Sequence, residues 1–245
     1  MEKLLILIPT YNEKDNVNEI VNLIYENLKN LWEITSILFI DDNSPDGTVV
    51  EIINISKRFE NGKIYLIKRP GKLGLGSAYI EGFKWGIKNN FNYILQMDAD
   101  LSHNPFYINE MFKECKNFDF IIGSRYVKGG GVKNWGIFRK LLSRGGSLYS
   151  KIILGCPIND LTGGFNLWKR NVLENLNLDK IISNGYSFQI EMKYRAYKKG
   201  FSFKEVPIIF DDRTKGKSKM SRKIFLEAVI NVWKLRYLSM RNKLF

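Results

Sequence analysis

The chain has 245 residues, 44% of them hydrophobic, and a formal net charge of +13. That much apolar side chain builds a core and excludes a disordered polyelectrolyte, while two cysteines, Cys115 and Cys156, exclude a disulfide framework and read as buried thiols. No apolar run reaches the roughly 18–20 residues that cross a bilayer, and the apolar stretch 4–8 after Met1-Glu2-Lys3 is too short for a signal peptide.

In chain order, short apolar runs alternate with helical patterns. Residues 4–8 predict a buried strand, and Val17, Ile20, Val21, Ile24, Leu28 and Leu31 then recur at helical spacing, with Asp15 or Asn16 as the cap. Further strands are expected at 36–40, 63–67, 93–97 and 118–122, separated by helices at 49–59, 77–89 and 105–115. Strand and helix alternating at this spacing predict a parallel sheet covered by helices on both faces. Beyond it come a Gly-rich stretch, 123–136, and a basic amphipathic segment, 137–154, interrupted by Gly145-Gly146. A turn-rich loop at 160–165, a helix at 188–199, a strand at 201–206, a polar loop at 211–221 and a last helix at 222–240 complete the pattern. No repeat or linker divides it, so one elaborated domain is expected.

Charge is split between the halves. Residues 1–122 carry 13 Lys+Arg against 17 Asp+Glu, and residues 123–245 carry 25 against 8. A half with a net charge of +17 calls for a polyanionic partner: nucleic acid, an anionic membrane or a phosphorylated substrate.

Four strands run directly into polar motifs, and in an open parallel sheet ligands bind beyond the carboxyl ends of strands. The motifs are Pro9-Thr10-Tyr11-Asn12-Glu13, the run from Asp41-Asp42 to Gly47-Thr48, the run from Arg69-Pro70 to Gly74-Leu75-Gly76, and Asp98-Ala99-Asp100-Leu101-Ser102-His103. On an extended backbone Asp98 and Asp100 point the same way, a pairing that suits Mg²⁺ or Mn²⁺ with phosphate oxygens. Helix initiation explains Asn104-Pro105 equally well, though not two acids directly after an apolar strand. Asp41-Asp42 suits either a ribose contact or an Asx-turn. The glycines of 71–76 allow close backbone approach to a phosphate or simple loop freedom, and they fit neither the Walker nor the G-x-G-x-x-G spacing. His103 is the only histidine, which excludes a histidine-rich zinc site, and it reads as a packing or supporting group. Arg125, Arg139, Ser143, Arg144, Arg213, Lys217 and Lys219 are the candidate anion ligands of the basic half.

In this order the motifs resemble the dolichol-phosphate (polyprenol-phosphate) mannose synthases, a family of inverting glycosyltransferases. The resemblance covers roughly residues 3–220. It includes Gly123-Ser124-Arg125-Tyr126, Asp160-Leu161-Thr162-Gly163-Gly164-Phe165, Gly185-Tyr186-Ser187-Phe188-Gln189-Ile190-Glu191-Met192 and the stretch from Glu205 to Lys219. It implies a GT-A-like (Rossmann-like) α/β domain over 1–220, with a nucleotide-sugar and metal half (1–122) and an acceptor half (123–220). An amphipathic helix follows at 221–245. It implies transfer of mannose from GDP-mannose to dolichyl or polyprenyl phosphate, with a Mg²⁺ or Mn²⁺ cofactor. By matching position, Pro9, Tyr11, Glu13, Ile40 and Asp42 hold the nucleoside, Asp98 and Ala99 contact the nucleotide sugar, and Asp100 and Ser102 hold the metal. Arg125, Arg139 and Ser143 meet the acceptor phosphate, and Arg125 also belongs to the nucleotide-sugar set. Arg213 and Lys219 close over the diphosphate, and Asp100, Arg213 and Lys219 carry the catalysis. Ser102 stands where some relatives have Gln, a stronger ligand.

The expected setting is peripheral, on the cytoplasmic face of a membrane, with a small membrane subunit as a further partner. The last helix either lies at the membrane interface or packs on the domain. Nucleic-acid binding is not expected, because no aromatic RNA-binding pattern, zinc knuckle or recognition helix accompanies the charge. The alternative reading is a polyprenyl-phosphate glucosyltransferase using UDP-glucose, which would share most of these motifs. A sugar-nucleotide pyrophosphorylase would need a Gly-rich N-terminal loop with Arg in place of Pro-Thr-Tyr-Asn-Glu.

Overall fold

The computed structural model describes residues 2–60, 63–212 and 222–244. All five expected strands form: β1 (Leu4–Thr10), β2 (Thr35–Asp41), β3 (Ile64–Lys68), β4 (Tyr93–Gln96) and β5 (Phe120–Ser124). Between them lie α1 (Lys14–Asn27), α2 (Thr48–Ser56), α3 (Leu75–Lys88) and α4 (Ile108–Glu114). The start of α1 precedes the expected cap, with Glu13 at the N-cap and its carboxylate accepting from Asn16 Nδ2 at 2.7 Å. Asn104 caps as expected, accepting from the Phe106 N–H at 2.9 Å, but it opens a 3₁₀ turn that leads into α4.

The second half supplies β6 (Gly131–Val132), α5 (Ile137–Leu154), β7 (Asn166–Lys169), α6 (Arg170–Asn175), α7 (Gly185–Lys198), β8 (Phe203–Pro207), β9 (Ile209–Phe210) and α8 (Arg222–Met240). Gly145-Gly146 does not interrupt α5. Each glycine costs about 1 kcal/mol of helix propensity, and burial of Ser147, Ser150 and Leu154 on the following turns holds the helix through them.

The main sheet has the order β3-β2-β1-β4-β7-β5-β8, and β6 pairs with β9 separately. Only β7 runs antiparallel to its neighbours, so the sheet is mostly parallel. Side chains alternate between two cores. Leu4, Ile6 and Ile8 of β1 pack with α1, α2 and α4 on one face, while Leu5 and Leu7 pack beneath α3 and α7 on the other. The chain winds outward from β1 through β2 to β3, then returns to place β4 on the other side of β1. That reversal is a topological switch point, and it opens a crevice at the carboxyl ends of β1 and β4.

Candidate active site

A cleft of about 510 Å³ occupies this crevice. Its wall takes Pro9, Tyr11 and Glu13 from the end of β1, Asp42 from the end of β2, and Asp98, Ala99 and Asp100 from the end of β4. Parallel registry puts these ends level, pairing Thr10 with Asp41 and Leu7 with Gln96. Of the five residues expected to hold the nucleoside, Ile40 does not line the cleft. It is fully buried, with its Cδ1 against Gly82 of α3, so its side chain serves the core.

The two adjacent aspartates at the end of β2 divide their work. Asp41 is buried and accepts from Thr10 Oγ1 at 2.9 Å and from the Ser44 N–H at 2.8 Å, an Asx-turn. Asp42 faces the cleft, accepting from the buried Arg69 at 2.5 Å and from the Gly74 N–H at 3.1 Å. Gly74 has φ +98°, and a Cβ there would stand 2.6 Å from Asn184 Nδ2, so this turn requires glycine. Asp46 ties the neighbouring loops together. Burial opposes its charge, but bonds from the Thr48 hydroxyl and N–H and the Lys14 N–H outweigh that and hold its carboxyl below the usual range.

After β4 the chain bends at residues 99–101 and does not stay extended, yet Asp98 and Asp100 both reach the cleft. Leu101, between Asp100 and Ser102, adopts φ +64°, a left-handed conformation uncommon for leucine and of the sort held at functional sites. Ser102 is buried, and its hydroxyl donates to Asp100 Oδ1 at 2.5 Å, orienting that carboxylate. His103 packs behind the acids, stacked 5.0 Å from Phe165, with Nδ1 accepting from the Asp98 N–H at 2.9 Å. Burial lowers its pKa against the pull of Asp98 and Asp100.

The donors at this rim fit a hard divalent cation. They are carboxylates, and the His103 Nδ1 is already an acceptor within the fold. Among the described residues no set of three or more His, Cys, Asp or Glu gathers to enclose a metal.

The second half completes the lining with Thr162, Gly164, Asn184, Gly185, Ser187 and Gln189. The loop carrying Thr162 and Gly164 is clamped by buried charge. Arg125 forks onto Asp160 with two bonds of 2.7 Å and reaches Thr162 Oγ1 at 2.9 Å. The ammonium of the fully buried Lys193 donates to the carbonyls of Asp160, Leu161 and Gly163 at 2.9, 3.2 and 2.7 Å. Burial lowers the Lys193 pKa to about 8, with Asp160 pulling the other way.

The model for glycosyl transferase family 2 matches residues 5–176. The chain belongs to glycosyltransferase family 2. The enzyme is 39% identical over 238 residues to polyprenol monophosphomannose synthase of Mycolicibacterium smegmatis, covering 96% of this chain and 88% of that protein. It is 39% identical over 230 residues to undecaprenyl-phosphate mannosyltransferase of Micrococcus luteus, covering 94% and 92%. Glucosyl-3-phosphoglycerate synthase of Mycobacterium tuberculosis, solved with Mn²⁺, UDP and glucosyl-3-phosphoglycerate, superposes with a TM-score of 0.65 at 14% identity. That likeness, over 97% of this chain and 79% of the other, establishes a shared GT-A-like fold.

The glycosyltransferase places its expected acceptor ligands unevenly. Arg125 is committed to Asp160 and ringed by Tyr126, Trp135 and Phe210, so in this structure it braces the loop. Arg139 stacks 4.1 Å over Trp135 and pairs with Asp212 at 2.7 Å, and Ser143 accepts from the Tyr126 hydroxyl at 2.7 Å. Arg213 and Lys219 lie outside the described residues. Sequence reasoning missed Lys72, which lies 4.2 Å over the Tyr11 ring at the cleft, and it also missed Asn184 and Lys193. Asn184 stands directly before a motif already singled out, whereas Lys193 is one cation among several on its helix.

Proposed function

We propose that this enzyme transfers a mannosyl group from GDP-mannose to the phosphate of a polyprenyl (dolichyl) monophosphate, with inversion at the anomeric carbon. One observation carries the reading: near-full-length identity of 39% to two proteins named for mannosyl transfer to polyprenol carriers. The acid-rimmed cleft at the switch point supports it chemically.

Pro9, Tyr11, Glu13 and Asp42 receive the nucleoside, and Asp98 with the Ala99 backbone receives the sugar diphosphate. Asp100, steadied by Ser102, would hold Mg²⁺ or Mn²⁺, which when bound neutralises charge on the leaving diphosphate. A phosphate monoester has a second pKa near 6 and is chiefly a dianion at pH 7. The nucleophile therefore arrives deprotonated, and no side chain has to remove a proton. A phosphate oxygen attacks the anomeric carbon as the bond to the β-phosphate oxygen breaks, releasing GDP. What the protein must supply is cationic positioning of two anions. Arg139 and Ser143, with Arg125 behind them, take the acceptor phosphate, and Arg213 and Lys219 take the diphosphate. On this reading α5 and α8 lie at a membrane surface, the enzyme being peripheral there. Among the described residues no helix is long and apolar enough to cross a membrane.

The test offers GDP-mannose, UDP-glucose and UDP-N-acetylglucosamine, with Mn²⁺ and a short polyprenyl phosphate, to the purified chain. Mannolipid from GDP-mannose alone is the expected product. Asp100→Asn should cut turnover by about 10²-fold or more at an unchanged melting temperature. No lipid-linked product from any donor refutes the reading.

A further inference from the structure

A run of side-chain amides lies beneath the cleft, and its orientation is fixed from one end. Trp168 Nε1 can only donate, and it donates to Gln96 Oε1 at 2.7 Å. Asn166 therefore presents its Nδ2 to that same oxygen at 3.3 Å, with the Gly163 carbonyl also at 3.3 Å. The same nitrogen donates to Gln189 Oε1 at 3.1 Å. With its oxygen taken, Gln189 turns its Nε2 the other way, towards Gly164 at the cleft wall. Gln189 is 3% exposed, and among the described residues its Nε2, like Gln96 Nε2 and Asn166 Oδ1 deeper in the run, has no hydrogen-bond partner, but of the three residues Gln189 alone lines the cleft. A buried donor left in this way is unfavourable until something accepts from it.

What it faces identifies the acceptor. A Cβ built on Gly164 would stand 3.6 Å from Gln189 Nε2 and 3.9 Å from Asp98 Oδ1, and Gln189, Gly164 and Asp98 all line the cleft. Around that point, beside His103 Cε1 at 3.5 Å, stand an amide donor and a carboxylate oxygen that accepts from the Tyr79 hydroxyl at 3.3 Å and keeps a further lone pair. A hydroxyl both accepts and donates, so it satisfies the two together.

We propose that Gln189 is a sugar-binding residue whose amide N–H binds a hydroxyl of the donor sugar, with Asp98 accepting from that hydroxyl beside Gly164. The assignment rests on the nucleotide-sugar reading above and names a contact to the sugar rather than to the nucleotide. It predicts that losing the donor weakens binding of the sugar nucleotide while sparing the bare nucleoside diphosphate.

Calorimetric titration of the full chain with Mn²⁺ tests this, comparing GDP with GDP-mannose and UDP with UDP-glucose. Gln189→Met removes the amide at similar volume. Gly164→Ala leaves the amide in place and puts a methyl group beside it, its Cβ having room at 3.5 Å or more. Both variants should bind the nucleoside diphosphate within about twofold of wild type and the cognate sugar nucleotide about 10–100-fold more weakly. Unchanged sugar-nucleotide affinity in Gln189→Met overturns the assignment, and so does a parallel loss for the bare diphosphate. Use of UDP-glucose with no response to GDP-mannose would sink the mannosyl reading and leave the Gln189 contact standing if the sugar-specific loss persists. A wild-type chain that binds neither sugar nucleotide overturns both.

Discussion

Burial alone would push the Asp160 carboxyl up, yet the charge of Arg125, its hydrogen bonds and the neighbouring Lys193 bring it down to about 2. A carboxylate lowered in the fold stabilises the protein above its unfolded pKa, and that contribution is lost as pH falls through the folded value. For Asp160 the window runs from about 4 down to about 2, and the shift corresponds to about 2 kcal/mol. Asp160→Asn should therefore remove a component of acid unfolding between pH 4 and 2. It should also cost about 3–5 kcal/mol at neutral pH, because Arg125 is left buried without its counter-charge. Urea melts of both proteins from pH 2.5 to 7 check this, and curves that stay parallel across the window would contradict it. At this scale the sequence foretold which residues reach the cleft better than it foretold their partners. Asp98, Asp100 and Asp42 stand at the cleft because a strand end decides their place, and a strand end is readable from a local apolar run. Arg125 was expected on a phosphate but meets Asp160, 35 residues away. No local pattern encodes that pairing, nor the three carbonyls gathered by Lys193.

Two helices, α3 and α7, direct their first turns at the cleft, and one side chain joins them. Asn184 Oδ1 accepts from the Gly76 N–H at 3.0 Å and the Gly185 N–H at 2.8 Å, satisfying donors that neither helix can satisfy internally. Asn184→Ala should lose about 1–2 kcal/mol, as removal of a helix cap does. Because Gly74, Leu75, Asn184 and Gly185 form one stretch of wall, it should also raise the donor KM more than it lowers kcat. Steady-state kinetics beside a denaturant melt separates the two effects, and a fall confined to kcat would contradict this placement. The elements themselves were legible where periodicity was long. Strands β1 to β5 and the helices between them follow from apolar runs and helical spacing. β7 did not, since Asn-Leu-Trp-Lys carries little alternation and becomes a strand only by pairing with β4 and β5 on both sides. β6 and β9, of two residues each, exist only as each other's partner. Such pairings depend on contacts across roughly 45 to 80 residues, which a local window does not see.

For the whole molecule, the split in charge acquires a direction. The half with a net charge of +17 also carries the exposed apolar side chains Ile137, Phe138, Leu141, Leu148 and Ile152 along one side of α5, with Lys140 and Arg144 exposed beside them. On α8, Val232 and Leu235 enter the core while Ile230, Trp233, Tyr237 and Met240 stay exposed, so that helix both packs on the domain and presents an apolar stripe. Apolar side chains flanked by cations are the composition of a surface that rests in a lipid interface, and a polyprenyl phosphate acceptor would be met there. Two contributions should then be separable. The electrostatic one weakens with salt, because the screening length falls from about 10 Å at 0.1 M to about 3 Å at 1 M. The apolar one does not. In vesicle co-sedimentation, wild type should bind anionic vesicles more than neutral ones at 0.1 M salt and converge on the neutral level at 1 M. Phe138→Asp combined with Leu141→Asp should reduce binding to both by about tenfold or more, since each loses roughly 1.5–3 kcal/mol of apolar burial. Both positions are exposed in the folded enzyme, so the variant should keep its melting temperature and its affinity for the sugar nucleotide. Wild-type vesicle binding by this double variant would place the membrane contact elsewhere on the molecule.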